Sequence, residues 1–526
     1  MRILVSDSLE QLLIDVLSRE GFEVDNRPGI PGDELKKIIS LFDGLVVRSN
    51  TKVTAGLIGL ASRMKVIGRA GTGVDNIDVE AATRRGILVM NTPGGNTVSA
   101  AEHTVSMLLS LSRNIPQANM SLRRGEWERK KFIGTEVLEK VLGVIGLGKI
   151  GWEVARRCQG LGMKVVAYDP LLSADVAVKS NIELVTLDEL YHRADFITVH
   201  TPLTSQTRAL LNDVTLAKCK RGVRIVNCAR GGIVDEQSLL KALESGQVAG
   251  AALDVFETEP PGTSALISHA HVVSTPHLGA STEEAQEKIA LQLAHQISDA
   301  LHGRGYAGIV NGAALEFSIR KEVKPYLVLA EKMGSLVAQM TSGKITQLTV
   351  TACGEVVVSS LELLKAGALK GILSQLYPDP VNVVNSLLLA RDMGLVVSEY
   401  RDQPGEYFTN MLGIRYQTDR ETKEVVGTVL GSSAIRLVAL DGFRFEVRPE
   451  GFLLIYNNRD EPGMLAKVGF VLAKHHVNIA GVSLGRSAPG ENALTVMNID
   501  SGIPTAGLEE LVVQEGISNL KLIRLD

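Results

Sequence analysis

Residues 141–280 hold the densest set of side chains able to do chemistry together. Gly146, Gly148 and Gly151 stand as G-x-G-x-x-G in VLGVIGLGKIGWEVARRCQGLGMKVVAYDP, after an apolar strand-like run and at the start of a helical period. There the first glycine permits a tight turn, the second lets the backbone approach a pyrophosphate, and the third lets helix and strand pack closely. The helix N-terminus then faces the phosphate charge. Asp169 closes the next strand-like run, where a carboxylate can hold both ribose hydroxyls and repel a 2′-phosphate. No arginine follows closely, so the expected cofactor is NAD and not NADP. The stretch GRAGTGVDN also carries glycines (Gly68, Gly71, Gly73), but without the spacing.

Downstream, Arg230 sits in VNCARGG, Glu259 in DVFETEPP and His277 in STPHLGAS. Each follows a strand-like run, at the carboxyl edge where open α/β sheets bind ligands. The three types suit alcohol oxidation. A histidine can take a hydroxyl proton as hydride leaves. A carboxylate beside it fixes the ring and raises its basicity. An arginine can grip a substrate carboxylate with two parallel hydrogen bonds. The residues alone leave the choice open: the chain has ten histidines, and spacing does not separate His277 from His103, His200 or His271.

The elements that must position these groups follow a βαβ rhythm. From Ile3 to about Leu278, ILVS, GLVVRS, KVIGRAG and ILVMNTPG alternate with helical periods, and VLGVIG, KVVAYD, FITVHTP, RIVNCARG, AGAALDVF and VVSTPHL repeat the plan. Two open parallel sheets with helices on both faces are expected. A helix follows, with Ser281 and Glu284 as a capping box, Ile289, Leu293, Ile297 and Leu301 on one face, and an end near His302–Gly303. It can run back onto the first sheet and make that domain discontinuous. Residues 345–356 read as a strand, 359–376 and 381–394 as helices, and Tyr407 to Val447 as a strand–turn–strand series, giving an α+β module with antiparallel sheet. The last 75 residues read βαββαβ, the ferredoxin-like plan, with Pro462 at a helix start.

Composition narrows the class. At roughly 100–200 residues per domain, 526 residues make three or four domains. A net charge of −4 calls for neither nucleic acid nor an anionic membrane. No apolar run approaches about 18 residues, so no membrane span is expected. Cys158, Cys219, Cys228 and Cys353 form no CxxC pair, which argues against a metal site or disulfide framework and fits a reducing cytoplasm. The N-terminus has neither signal nor transit-peptide character.

The motifs GLGKIG with Asp169, HTPLT from His200, NCARGGIVDE from Asn227, DVFETEPP from Asp254 and PHLGAS from Pro276 together resemble the D-isomer-specific 2-hydroxyacid dehydrogenase family over about residues 1–310. That resemblance places the catalytic arginine, glutamate and histidine on Arg230, Glu259 and His277. It places NAD against Thr72, Gly146, Gly148, Lys149, Ile150, Gly151, Asp169, Thr201, Cys228, Ala229, Arg230, Asp254, His277, Leu278, Gly279 and Ala280. Lys149 stands where the family often has arginine, and either cation can lie near a pyrophosphate.

The whole layout resembles the family's long, ACT-bearing members, oxidoreductases of serine biosynthesis. The fold it implies is α/β. A substrate-binding domain (1–97 and 282–311) and an NAD-binding domain (98–281), both Rossmann-like, precede an α+β intervening domain (312–450) and a ferredoxin-like ACT domain (451–526). The implied substrate is 3-phospho-D-glycerate. Arg48 and Asn96 are expected to contact it beside Arg230. The run ERKKF leaves two readings open: Arg129, Lys130 or Lys131 reaches the phosphate, from this or a neighbouring subunit, or the three form a solvated basic patch. Asp460 and Asn478 match the ACT unit's usual amino-acid contacts, with L-serine the expected effector. A homo-oligomer, dimer or tetramer, is expected. The alternatives are an unphosphorylated acid such as hydroxypyruvate or glyoxylate as substrate, or an NAD-sensing binding protein of the same fold.

Overall fold

The computed structural model describes residues 1–173, 180–377, 380–403 and 408–525. Among these the first sheet has five parallel strands, Arg2–Val5, Glu23–Asn26, Gly44–Val47, Val66–Arg69 and Leu88–Met90, in the spatial order second, first, third, fourth, fifth. Ile3, Leu4, Val5, Leu45, Val46 and Val47 are all buried, as expected of parallel strands covered on both faces. The second sheet has seven parallel strands: Val141–Ile145, Lys164–Tyr168, Glu183–Leu184, Phe196–Val199, Val223–Asn227, Val248–Leu253 and Val272–Ser274. Their order is seventh, sixth, fifth, fourth, first, second, third, so the winding reverses between the first and fourth strands.

The helix Glu283–His302 returns to the first sheet, where Ile289, Leu293 and Ile297 join one core with Ile3, Val5, Val46 and Val66. Each such buried aliphatic side chain stabilises by about 1.5–3 kcal/mol. The helix begins one residue later than its capping-box pattern predicts. Thr282 is the cap, its hydroxyl accepting from the Ala285 amide, because the Ser281 amide is spent closing a turn onto the Leu278 carbonyl. Gly303, at φ +67°, ends it in the left-handed conformation that glycine adopts at least cost.

The third sheet has six strands, ordered Val396–Asp402, Ile345–Cys353, Met411–Thr418, Thr422–Leu430, Ala434–Leu440, Phe443–Val447. The sequence pattern predicts antiparallel sheet, yet Val396–Asp402 joins parallel to Ile345–Cys353. That edge strand is largely exposed and lacks alternation, so it leaves no period-two signal. The helix expected over 381–394 is confined to Ser386–Asp392. Asn382 and Asn385 divert the preceding residues into a turn: the Asn382 carboxamide accepts from the Val384 and Asn385 amides, and Asn385 accepts from the Asn382 amide. Tyr407, the expected start of the strand–turn–strand series, and Asp526, the expected end of the ACT unit, lie outside the described residues.

The C-terminal unit is a βαββαβ sheet, with strands Gly451–Arg459, Ile479–Arg486, Asn492–Ile499 and Ile517–Leu525 ordered second, third, first, fourth. Its first helix starts at Met464, after Gly463 in the left-handed region, so Pro462 precedes the helix and does not open it. Leu453, Ile455, Val496 and Ile523 pack into the same core as Leu329, Leu336 and Leu348 of the preceding module. The two C-terminal units therefore share apolar interior. Among the described residues no helix is long and apolar enough to cross a membrane.

Candidate active site

The winding reversal of the second sheet opens a crevice at the carboxyl ends of its strands. Gly146 leaves the first strand at φ +93°, and a Cβ there would stand 2.8 Å from the His200 carbonyl oxygen. At Gly151 a Cβ would meet the Gly146 carbonyl oxygen at 2.0 Å, so only glycine lets this helix approach the strand. Gly148 faces open space and caps the helix Lys149–Gly160 with no side-chain bond, leaving first-turn amides free for a ligand. One Asp169 oxygen accepts from the Leu147 amide and the other from the Leu171 amide, both at 2.9 Å, which fixes the carboxylate beside the glycine loop. The Thr201 hydroxyl is buried and lacks a partner among the described residues. Free amides, an orphaned hydroxyl and an uncrowded glycine fit a dinucleotide.

Thr72, Ile150, Thr201, Cys228, Ala229, Asp254, Gly279 and Ala280 line one cleft of about 560 Å³ between the two sheets, with Arg48, Asn96, Arg230, Glu259 and His277. The fingerprint glycines, Lys149, Asp169 and Leu278 do not line it. The Lys149 ammonium instead lies against Gly94 of the first domain, and the Leu278 side chain is partly exposed. Burial pushes the Cys228 thiol up to about 12, so it stays a neutral wall of the cleft.

His277 stands in the left-handed region at φ +55°, and its Nδ1 lies 2.8 Å from Glu259 Oε2. The other Glu259 oxygen accepts from the Phe256 amide. Burial works to raise the Glu259 carboxyl, but the His277 hydrogen bond and charge and the Phe256 amide outweigh it, leaving the group below the usual glutamate value. With Nδ1 on Glu259, Nε2 is left for a substrate hydroxyl.

Asp254 anchors the loop that carries the histidine. Its side chain is fully buried; Oδ1 accepts from the Leu278 amide and the Thr275 hydroxyl, and Oδ2 from the Gly279 amide. His103 Nε2 lies 3.2 Å from the same carboxylate. Burial opposes its charge, but these donors hold the Asp254 pKa below the ordinary aspartate value. The sequence carries no sign of this His103 contact, because it depends on a helix from another part of the chain.

The opposite wall comes from the first sheet. The Arg48 loop is clamped by Asp7, 2 % exposed, which accepts from the Arg48 amide at 2.6 Å and the Thr51 hydroxyl at 2.7 Å. The Asn76 amide group donates to the Arg48 and Thr51 carbonyls. Beside Arg48 stands Arg69, which the sequence alone did not single out. Burial, reinforced by the charges of Arg230 and Arg48, pushes its guanidinium down to about 10, against the pull of Asp75 and Asp7. Its Nε is buried without a partner among the described residues. Arg230 Nε donates to Asp75 at 2.9 Å and its Nη1 to the Ala229 carbonyl. A Cβ on Gly73 would lie 2.0 Å from Arg230 Nη2. The glycine stretch that lacks the dinucleotide spacing is thus the surface against which this arginine packs. Asn96 accepts from the Thr72 hydroxyl at 3.0 Å, at the start of the helix Thr97–Arg113.

Three groups lie apart. Arg129, Lys130 and Lys131 sit on an exposed turn away from this chain's cleft, Lys131 paired with Glu128. Asp460 accepts from Arg486 and the Gly490 amide, while Asn478 donates to Asp500. Asn478 precedes the strand Ile479–Arg486 and Arg486 ends it, about 26 Å away at strand rise. One chain therefore does not bring Asp460 and Asn478 together.

Residues 105–279 match the NAD-binding domain of D-isomer specific 2-hydroxyacid dehydrogenases, 322–441 the D-3-phosphoglycerate dehydrogenase intervening domain, and 452–515 the ACT domain. A D-3-phosphoglycerate dehydrogenase from Synechocystis sp. is 43% identical over 525 residues, covering 100% of this chain and 95% of the relative. That from Methanocaldococcus jannaschii is 40% identical over 526 residues and all of both chains, and that from Homo sapiens 43% identical over 512 residues, 96% of each. Among solved structures, the TT0316 protein from Thermus thermophilus superposes with a TM-score of 0.54 at 34% identity, covering 59% of this chain and 100% of that one. A glyoxylate reductase from Paecilomyes thermophila gives 0.55 at 28% identity, covering 59% and 98%.

Proposed function

The chain belongs to the D-3-phosphoglycerate dehydrogenases of the D-isomer-specific 2-hydroxyacid dehydrogenase family, and from that premise we propose how its side chains divide the work. The reaction is oxidation of 3-phospho-D-glycerate to 3-phosphohydroxypyruvate, at the entry to L-serine synthesis. NAD, held by the glycine loop, Asp169, Thr201 and the 277–280 loop, supplies the hydride acceptor. His277 Nε2 takes the C2 hydroxyl proton as the C2–H bond breaks. Glu259, on Nδ1, orients the ring and stabilises its protonated form.

Arg230 receives the substrate carboxylate. Nε is held by Asp75 and Nη1 by the Ala229 carbonyl, which leaves Nη2, packed beside Gly73 in the cleft wall, for the substrate. Arg48 and Arg69 receive the phosphate. The supporting observation is the buried, unpartnered Arg69 Nε beside two further guanidinium groups, since a buried orphan donor among like charges calls for an anion. Asn96 hydrogen-bonds the substrate from the helix start. Closure of the two sheets excludes water from the hydride path.

The protomer works in a homo-oligomer, dimer or tetramer. Trp127 is 77% exposed and Ile133 80%, with Met120 and Leu122 also exposed nearby in sequence. A patch of this kind suits burial between subunits, where Arg129, Lys130 and Lys131 would approach a neighbour's cleft. Among the described residues Ile479–Arg486 pairs in its sheet only with Asn492–Ile499, while the Glu446 amide donates to the Ser483 hydroxyl on its face. Twofold antiparallel pairing of two such edges sets Asp460 of one protomer against Asn478 of its partner, and we assign L-serine to that junction. Four unpaired thiols suit a cytoplasmic setting.

The deciding measurement is NADH consumption with 3-phosphohydroxypyruvate against pyruvate and unphosphorylated hydroxypyruvate. Two charge-assisted contacts predict a preference of about 100-fold or more in kcat/KM for the phosphorylated acid. Equal values would overturn the phosphate assignment.

A further inference from the structure

A second cleft, about 740 Å³, lies at the other end of the first sheet. Asp43, Lys65 and Ile87 line it, each immediately before a strand whose far end leads toward the active cleft. Its opposite wall is Leu315, Tyr377, Asn385 and Leu389 of the intervening module. The rim is closed by specific contacts across the seam. Asn382 Nδ2 donates to the Gly86 carbonyl at 2.8 Å, Asn385 Nδ2 to the Arg84 carbonyl at 3.3 Å, and Arg84 pairs with Asp392. Gly86 is at φ +67°, and a Cβ there would stand 2.3 Å from Asn382 Nδ2, so the close approach needs glycine.

The charge of the cleft is one-sided in a chain whose net charge is −4. Among the described residues, Arg63, Lys65, Arg84 and Arg85 line it against one carboxylate, that of Asp43. Asp43 is already engaged by Arg63 at 3.2 Å and by the Arg2 amide at 2.9 Å. Arg84 is used by Glu80 and Asp392. Lys65 and Arg85 make no ion pair with any described residue. The floor between these cations is apolar: Ile87, Leu88, Leu301 and Leu315.

We propose that this cleft binds a small organic polyanion, a phosphate ester or a polycarboxylate, through Lys65 and Arg85, with its carbon body on the apolar floor. Such a ligand bridges the first sheet and the intervening module. The intervening module shares its core with the ACT unit, so occupancy would bear on how the C-terminal half seats against the sheet that carries Arg48 and Arg69. It would act on turnover only through a difference in affinity between two seatings. The proposal does not depend on the roles given to residues of the active cleft.

The test uses the full-length protein with NADH and the monoanion oxamate in its active cleft, so that no added phosphate ester competes for the second cleft. Metal-free pyrophosphate is titrated calorimetrically, with citrate in a second arm to separate phosphate from carboxylate ligands. At least one should bind saturably, once per chain. Lys65→Glu with Arg85→Glu should weaken that binding at least tenfold while leaving turnover without the anion within twofold of wild type. Should the double variant melt early, Lys65→Ala and Arg85→Ala singly should each weaken binding severalfold. Absence of saturable binding in both arms, or binding that the charge reversals leave intact, would overturn the proposal.

Discussion

Asp75 reaches across the cleft to Arg230: its Oδ2 accepts from the guanidinium Nε at 2.9 Å. Asp75 belongs to the first sheet's loop 71–78 and Arg230 follows the fifth strand of the second sheet, so one ion pair spans the seam that must open and close. Asn76, the next residue, ties the same loop to the Arg48 carbonyl. The arginines assigned to the two ends of the substrate are therefore set by neighbouring residues of a single loop.

Asp75→Ala should lower kcat/KM for 3-phospho-D-glycerate by about tenfold, chiefly through KM. One charge-assisted hydrogen bond is lost, and the carboxylate is exposed enough for solvent to screen much of it. NAD affinity, read by fluorescence titration, should hold. An unchanged KM removes the positioning role from Asp75.

Arg69→Ala should cost the phosphorylated substrate about 100-fold in kcat/KM and an unphosphorylated acid no more than about threefold, with Arg48→Ala behaving alike. Asn76→Asp sets a carboxylate against two carbonyl oxygens and should reproduce that selective loss by displacing the Arg48 loop. If Arg69→Ala and Arg48→Ala slow both substrates equally, the phosphate lies elsewhere; if only Asn76→Asp does so, the loop contact alone is misassigned.

His277→Ala should remove about 10²–10⁴-fold of turnover and leave NAD binding largely intact. Glu259→Gln should move the limb of the pH–rate profile that reports proton acceptance to lower pH, because the amide no longer supports a protonated ring. Glu259 itself is held below the usual glutamate value, so in wild type that support persists through mildly acid pH and fades only as pH falls further. A wild-type rate for His277→Ala, or an unmoved limb for Glu259→Gln, refutes the respective role.

Asp254→Asn should destabilise the NAD-binding domain by about 2 kcal/mol, since an amide leaves one of three buried donors facing a donor. The sign with pH follows from the depressed carboxyl: its contribution is complete above the ordinary aspartate value and is lost as pH falls below it. Calorimetric melts should show wild type and Asp254→Asn differing steadily from about pH 8 to about 5 and converging in stronger acid. A gap that widens in acid contradicts the sign.

The glycine fingerprint and Asp169 were legible because each depends on residues a few positions apart and on one strand–helix–strand unit. The winding reversal between Gly146 and His200 was not legible, since the βαβ rhythm implies parallel sheets but not the order of their strands. Arg69 and Asp75 were not legible. Their significance arises where two sheets meet, and a cation beside a non-consensus glycine run carries no periodic mark. Asp254 lines the cleft, but its grip on the 275–279 loop, joined by His103 from a helix far off in the chain, arises only in space. Asp460 and Asn478 were matched to amino-acid contacts by motif, and a motif carries no distance between them. The register of Ile479–Arg486 separates them by a strand's length, so the proposed serine site needs two protomers to bring them together.

That separation gives the last prediction its form. If L-serine binds between protomers, each site takes Asp460 from one chain and Asn478 from the other. Its ammonium would draw the Asp460 carboxylate away from Arg486, and the Asn478 amide can both donate and accept toward the ligand's remaining polar groups. Asp460→Ala and Asn478→Ala should each abolish serine binding heat when purified alone. Unfolded and refolded together, they should form mixed pairs in which one site joins the intact Asp460 of one chain to the intact Asn478 of the other, while the second site lacks both. Binding heat should therefore return, at up to half a site per chain within those pairs, along with any effect of serine on rate. Mixtures that stay silent beside a responsive wild type would mean that both residues act within one chain. Silence in wild type as well would leave the ACT unit as an assembly module.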